Sequence, residues 1–429
     1  MAIIAARLGL SLLLIALQFY VLRAMLRGLR SLQLGERREK RLKSVVTALV
    51  AAINIPLLFF LVEGFFTPRY VLLYSPPARY EALVRPFAYL FFIWTLGSLL
   101  FALASPLVMG TFAAAQFFKK RWRAWEQDAT VKVMDLSRRR FLQMGLTAVA
   151  SMPFAVSAYG AVAARAGKVV ERVVVSIKGL PSQLDGFSIV QLSDVHAGLF
   201  MTSEKMSEYV KIANDLSADL VALTGDFVAT SNSQVAPFLK AISSLKAPRG
   251  VYACLGNHDM FTGSEEKLAR GFATAGFKLL RNENEYVDVN GAKLNVIGVD
   301  YIGRGSKSRT LDQALRGIPL DETTLLLSHA PNTFEAAAKA GIHLTLSGHT
   351  HGGQIAFTFG DLIISPASLA TMFVAGLFKI GGSHLYVNRG LGTTGPPIRI
   401  NAPPEITHIT LRAERGCTTV DDIATPAFS

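Results

Sequence analysis

The stretch Ser347-Gly348-His349-Thr350-His351-Gly352-Gly353 sets two histidines one residue apart at the end of an apolar run, with glycine on either side. Glycine lets backbone and ligand crowd together, so imidazoles can converge there on one point. Four shorter pieces upstream share this character. They are Asp194-Val195-His196, Gly225-Asp226, Gly256-Asn257-His258-Asp259 and Ser328-His329. Together the five supply carboxylates, imidazoles and one amide. That is a donor set for two hard-to-borderline divalent cations, with no thiolate to select zinc alone.

Each piece closes a short apolar run: residues 186–192 (GFSIVQL), 219–224 (DLVALT), 251–255 (VYACL), 324–327 (TLLL) and 343–346 (HLTL). Short continuous runs rich in Val, Ile and Leu, stopped by Ser, Gly or Asn, predict buried strands. Helical patterns lie between them at 204–216 and 265–275. Polar groups at the ends of buried strands place a site along one sheet edge, where α/β proteins bind ligands.

In type and order the pieces resemble the calcineurin-like metallophosphoesterase family, whose pattern runs D-x-H, G-D, G-N-H-[DE], a lone His and G-H-x-H. The resemblance spans roughly residues 170–415, and every element is present. It implies an α/β fold, a two-sheet sandwich flanked by helices. It also implies two divalent metal ions. Asp194, His196, Asp226 and His351 would bind one. Asp226 would bridge to a second, completed by Asn257, His329 and His349. His258 would stand beside the metals as the acid–base group. Two cations about 3.5–4 Å apart repel, which calls for a shared carboxylate, and such a pair activates water for in-line attack on phosphorus. Manganese, iron and zinc all suit these donors. Taken singly, His329 reads as an ordinary satisfied histidine and Gly-Asn-His-Asp as a turn; the joint order carries the argument. His343, His384 and His408 sit in strand-like runs and read as structural.

The chain has 429 residues and a net charge of +13. The charge is unevenly spread. Residues 1–170 hold 22 basic and 7 acidic side chains, and the remainder 22 and 24. A near-neutral catalytic part argues against nucleic acid as a partner. The two cysteines, Cys254 and Cys417, make no disulfide framework.

Mean hydropathy is high, at +0.35. Four apolar segments, 2–22, 44–66, 86–118 and 141–164, predict an all-α transmembrane domain over residues 1–164. The third is long and contains Pro106, so a tilted or broken span is expected. Intramembrane charge is sparse, mainly Glu63, which disfavours an ion path. Loops 23–43 and 119–140 are rich in Lys and Arg, whereas 67–85 has only Arg69, Arg79 and Arg85. The positive-inside rule then puts the metallophosphoesterase domain, 165–415, on the extracytoplasmic side of the cytoplasmic membrane. Ser137-Arg138-Arg139-Arg140-Phe141-Leu142-Gln143 resembles a twin-arginine export signal, with Gln143 in place of the usual Lys, and so implicates that export machinery as a partner. The plainer reading is a basic helix flank. Ala161-Val162-Ala163 offers a cleavage site, though retention is favoured by the preceding spans.

Three features lie outside the motif set. Arg389 and Arg399 could meet a phosphate, but a structural ion pair is the simpler expectation. Residues 357–382 form an apolar segment directly after the His349/His351 loop, suited either to core packing or to lipid. The polar tail 416–429 predicts disorder. The expected function is hydrolysis of a phosphodiester, phosphomonoester or pyrophosphate, with a lipid-linked substrate suggested by location. The competing class is a catalytically silent binding or sensor module on the same fold.

Overall fold

The computed structural model describes residues 2–31, 35–58, 76, 80–125, 136–301, 307–319, 322–359 and 362–414. The expected tail 416–429, Cys417, Glu63 and most of the 67–85 loop lie outside these residues. The chain divides into two compact units. One is Met1–Gly167 with Gly395–Ile400, and the other is Lys168–Thr394 with Asn401–Ser429.

The first unit is helical: α1 (Ala2–Ser31), α2 (Glu36–Ile53), α3 (Glu81–Trp125) and α4 (Leu136–Ala166). Among the described residues, two windows are long and apolar enough to cross a membrane, Leu8–Arg30 and Glu81–Phe118. The structure thus supports two spans where four were expected. The apolar segment 44–66 is helical to Ile53, and residues 59–66 are outside the description. The Trp94 indole N–H donates to Gln18 Oε1 at 2.5 Å, and the Tyr20 and Ser105 hydroxyls pair at 2.6 Å, joining α1 to α3. Trp94 also packs on Phe154 of α4, ring centroids 5.1 Å apart. Of the two alternatives for the third segment, tilted or broken, the break does not occur: α3 runs through both Pro86 and Pro106. Proline removes the N–H that would reach the Ala102 carbonyl. The Ser105 hydroxyl donates to that carbonyl instead, at 3.4 Å.

The second unit is a sandwich of two mixed six-stranded sheets. One has the order β1 (Val169–Ile177), β14 (Glu405–Ala413), β2 (Ser188–Leu192), β3 (Leu220–Thr224), β4 (Val251–Cys254), β5 (Lys278–Leu279). The other runs β12 (Gly376–Ile380), β13 (Ser383–Val387), β9 (Leu344–Ser347), β8 (Thr323–Ser328), β7 (Ala292–Val299), β6 (Glu283–Val289). A small antiparallel hairpin, β10 (Phe357–Phe359) and β11 (Leu362–Ile364), stands apart.

The continuous apolar runs are explained by burial on both faces. In β2, Ile189 points into the core between the sheets, beside Leu220, Leu294, Leu325 and Leu344. Its neighbours Val190 and Leu192 point the other way, into a second core beneath α5 (Ser203–Asp215), α6 (Val235–Ile242) and α8 (Glu265–Thr274). Phe227, Phe238 and Phe272 form the aromatic centre of that core, with centroids 5.0 to 6.1 Å apart. Helices α9 (Lys307–Ala314) and α10 (Phe334–Lys339) cover the other sheet. Between α6 and α8, the one-turn helix α7 (Asn257–Phe261) follows β4.

Strands β2, β3 and β4 are parallel, as are β7, β8 and β9. The carboxyl ends of the two sets meet. Gln191 Nε2 donates to Ser347 O at 2.9 Å, and Gly348 N donates to His329 O at 3.0 Å. The five motif loops are therefore gathered at one end of the sandwich. Cys254 is a free, buried thiol in the core between the sheets, as its place in a strand implied.

Candidate metal centre

Each donor stands on a loop that leaves a strand sharply. Asp194, His196, Asp226, His349 and His351 all adopt left-handed backbone, with φ of 51°, 49°, 56°, 72° and 53°. This region is unfavourable for side chains other than glycine, and such residues concentrate at functional sites. The turn aims each side chain back over the strand ends instead of out to solvent.

Glycine makes the close packing possible at two positions. A Cβ on Gly256 would strike Asp226, and one on Gly348 would strike Ser193 Oγ and the Asp194 carboxylate. Asp194 is further set by the Ser193 hydroxyl at 2.6 Å and by the His349 N–H at 3.0 and 3.1 Å.

Among the described residues, three clusters each hold their donor atoms within 4.8 Å of one another: Asp194, His196 and His351; His196, Asp226 and His258; Asp226, His329 and His349. Asp226 Oδ2 lies 3.5 Å from His196 Nε2 and 3.3 Å from His329 Nε2. His196 and His351 face each other through their Nε2 atoms at 3.1 Å. His329 Nε2 lies 3.1 Å from both His349 Nδ1 and Asn257 Oδ1. All seven expected ligand residues are thus brought together, with Asp226 common to two clusters. Ring nitrogens crowded against each other and against carboxylates suit shared cations, since nitrogen lone pairs repel unless a proton or metal lies between them. The donor chemistry fits a pair of divalent ions.

The local fields are strong. Burial raises the Asp194 carboxyl to about 6, despite the opposing pull of His329. Burial also acts against ionisation of Asp226, but the charge and hydrogen bond of His329 outweigh it and hold Asp226 well below the usual carboxylate range. His329 responds in kind. Its burial would lower it, yet the Asp226 charge lifts it to about 10. Burial, followed by the charge of His329, brings His349 down to about 4.

His258 was expected beside the metals rather than among them. Its ring stands edge-on to His196 at 4.6 Å, and its Nδ1 lies 2.5 Å from the Ala229 carbonyl oxygen. That contact fixes the proton on Nδ1 and leaves Nε2 as the reactive nitrogen. Its backbone N–H donates to Asp226 Oδ1 at 2.8 Å.

Three residues of the site had no role assigned from the sequence, although Asp259 closes one of the motifs. Asp259, fully buried, accepts four backbone N–H groups. Oδ2 takes those of Asp226 and Gly256, each at 2.9 Å, and Oδ1 those of Phe227 and Val228, at 2.8 and 3.2 Å. It clamps the bridging-aspartate loop to α7. Its sequence signal is its place directly after Gly-Asn-His. The Thr394 hydroxyl reaches His351 Nε2 at 2.8 Å and His196 Nε2 at 3.2 Å. Tyr301 stands by the opposite cluster, its ring 5.6 Å from His349 and 6.2 Å from His329. Neither lies in a motif, and no local pattern would have found them.

The arginines resolve toward structure. Arg389 spans Glu171, with Nη2 at 2.5 Å, and Glu405, with Nε at 2.9 Å. Arg399 is buried in the helical unit, where its N–H donates to Gly160 O at 2.9 Å.

Residues 187–353 match the model of the calcineurin-like phosphoesterase family. A metallophosphoesterase of Bacillus subtilis, YkuE, is 33% identical over 294 residues, covering 65% of this chain and 98% of that protein. The chain belongs to the calcineurin-like phosphoesterases. A Bos taurus protein named for a transmembrane region with a metallophosphoesterase domain is 29% identical, covering 68% of this chain and 67% of its own. The crystal structure of TT1561 from Thermus thermophilus overlays with a TM-score of 0.35 at 15% identity, across 48% of this chain and 90% of that one. Membership points to metal-dependent phosphoester hydrolysis, in a family that typically binds two divalent metals.

Proposed function

We propose that this protein is a membrane-anchored phosphoesterase that works at a dinuclear metal site facing the extracytoplasmic side. The observation that supports this most is the place of Asp226, whose Oδ2 lies 3.5 Å from His196, itself clustered with Asp194 and His351, and 3.3 Å from His329, which stands with His349 and Asn257 on the other side. Two ions held there would polarise the phosphoryl oxygens and bring the pKa of a water near neutrality. The protein's own residues do the rest. Asp194 and Asp226 supply fixed negative charge, and left-handed turns hold the imidazoles in place before substrate arrives. His258, with its proton fixed on Nδ1, presents Nε2 to the leaving oxygen and delivers a proton to it when protonated.

Membrane attachment is supported by the two apolar windows and by the relative named as a transmembrane protein. Orientation rests on the basic loops 23–43 and 119–140 and on the resemblance of residues 137–143 to an export signal. Retention fits better than cleavage, because Ala161-Val162-Ala163 lies within continuous α4. An amphiphilic phosphoester, such as a lipid-linked diester or pyrophosphate, is the substrate class that such a location favours. Manganese is the first metal to try.

The test is metal-dependent hydrolysis of bis(p-nitrophenyl) phosphate, p-nitrophenyl phosphate and a lipid pyrophosphate, alongside Asp226→Ala. Turnover with Mn²⁺ that disappears in the variant supports the enzyme. Two bound metals per chain with no turnover on any of them would favour the silent binding module. A reporter fused after Ser429 should signal outside the cytoplasm, and a cytoplasmic signal refutes the orientation.

A further inference from the structure

The chain that follows the His349/His351 loop turns large apolar side chains to solvent, and we infer that this face docks into a lipid surface and seats the metal site against it. The inference rests on the membrane-anchored reading above. Leu369 is 92% exposed and Met372 78%. In the adjoining hairpin, Phe357 is 45% and Ile364 51% exposed, and the two are direct cross-strand partners. Residues 362–378 contain no charged side chain in 17 positions.

The segment is not a loose loop. Phe373 turns inward against Phe334 and Phe378, centroids 5.6 and 5.2 Å away. Ser368 Oγ donates to Ile363 O at 2.8 Å and pairs with Ser365 Oγ at 2.9 Å. Two clamps join it to the donor-bearing loop. The Thr350 hydroxyl donates to Val374 O at 2.6 Å, and Ser365 sits so close to Gly353 that a Cβ there would collide with it. Anything that holds Leu369 and Met372 is therefore coupled to His349 and His351 through a few fixed residues.

Lipid suits this face better than a protein. Interfaces between proteins carry a polar and charged rim around an apolar centre. Here Ile364, Leu369 and Met372 lie in an uncharged run, bounded by Asp361 and Lys379, which is what entry into a hydrocarbon boundary requires. The bilayer is also at hand, because the same chain carries two windows of membrane-crossing length.

The test uses the full chain with Cys417→Ser, leaving buried Cys254 as the remaining native cysteine. Leu369→Cys or Met372→Cys is labelled with a nitroxide and reconstituted in phosphatidylcholine–phosphatidylglycerol vesicles. Glu266→Cys, on a side chain 76% exposed, is the aqueous reference. The expected result is loss of collisions with a water-soluble nickel complex at 369 and 372, with collisions with oxygen kept. Nickel access equal to that at 266 overturns the inference, as does shielding from both reagents through contact with a second copy. A second arm compares Leu369→Glu and Met372→Glu on a vesicle-borne lipid phosphoester and on bis(p-nitrophenyl) phosphate. Loss on the vesicle substrate alone supports docking, and equal loss on both refutes it. If the unaltered chain turns over neither compound, the phosphoesterase reading fails while the label measurement still decides docking. If the protein leaves the vesicles on alkaline washing, the membrane anchor is what has failed.

Discussion

Replacing Asp259 with asparagine should weaken the metal centre without removing a proposed ligand. The carboxylate receives four backbone N–H groups, two on each oxygen. Asparagine keeps one oxygen and turns an amide NH₂ toward the other pair of donors. Two buried N–H groups then lose their acceptor, at about 1–3 kcal/mol each, or about 2–6 kcal/mol in total. The loss falls on the turn that holds Asp226 in left-handed backbone. If ordering of that turn must be restored when metal binds, the lower bound of about 2 kcal/mol weakens apparent metal affinity by about 30-fold. For a unit of this size the same energy lowers the unfolding midpoint by about 4–8 °C. Metal retention is read by elemental analysis after graded chelation. Unfolding needs a probe inside the sandwich, because Trp94, Trp122 and Trp125 all precede it. Cys254 provides one: in a Cys417→Ser background its thiol becomes reactive only when the core between the sheets opens. An Asp259→Asn protein that keeps its metals through chelation and exposes Cys254 at the unaltered temperature would refute the clamp.

Other expectations concern single residues. Asp226→Ala should lose both metals together, since its carboxylate borders both clusters; retention of one at full occupancy argues against bridging. His258→Ala should keep metal content while kcat falls by about 10²–10⁴, and an unchanged kcat removes its role as acid. Gly348→Ala should cut metal occupancy, because the new methyl displaces the Asp194 carboxylate, and elemental analysis again decides. His343 Nδ1 lies 2.9 Å from the Thr324 hydroxyl and accepts the Thr324 N–H at 3.3 Å. Burial lowers its pKa. The folded state therefore binds this proton more weakly than the unfolded chain, so the contribution is whole above the unfolded value of about 6.5 and is lost as pH falls through it. Melting curves of His343→Gln should slope less steeply between pH 7 and 5; an identical slope discards the assignment.

The motifs were legible because each closes a strand buried on both faces. An apolar run followed, after one or two residues of Ser or Gly, by Asp, Asn or His has few readings, and here five runs gave the same one. The boundaries followed too: the runs expected at 219–224 and 251–255 are β3 and β4 to within a residue at either end. Pairing was not legible. β14 comes from residues 405–413 yet lies between β1 and β2, parallel to one and antiparallel to the other. Nothing local encodes a partner more than 200 residues away. Tyr301 and Thr394 were missed for the same reason, since their value lies only in what they approach.

The backbone of the donor loops went unseen for a different reason, and it bears on how the site is held. Five donors adopt φ values that cost a residue with a Cβ about 1–2 kcal/mol each, so their turns are unfavourable if left alone. Sequence propensities average over such rare conformations and point away from them. The surrounding structure must over-determine these turns. The contacts that do so are specific: the Asp259 carboxylate on the Asp226 turn, the His349 N–H on Asp194, and the glycines that allow Gly256 and Gly348 to close on the carboxylates. These contacts join protein groups to one another. The strain is thus offset by contacts within the protein. Metal loss should then loosen the site less than loss of the Asp259 clamp, which makes Asp259 the residue that separates a preformed centre from one assembled by its metals.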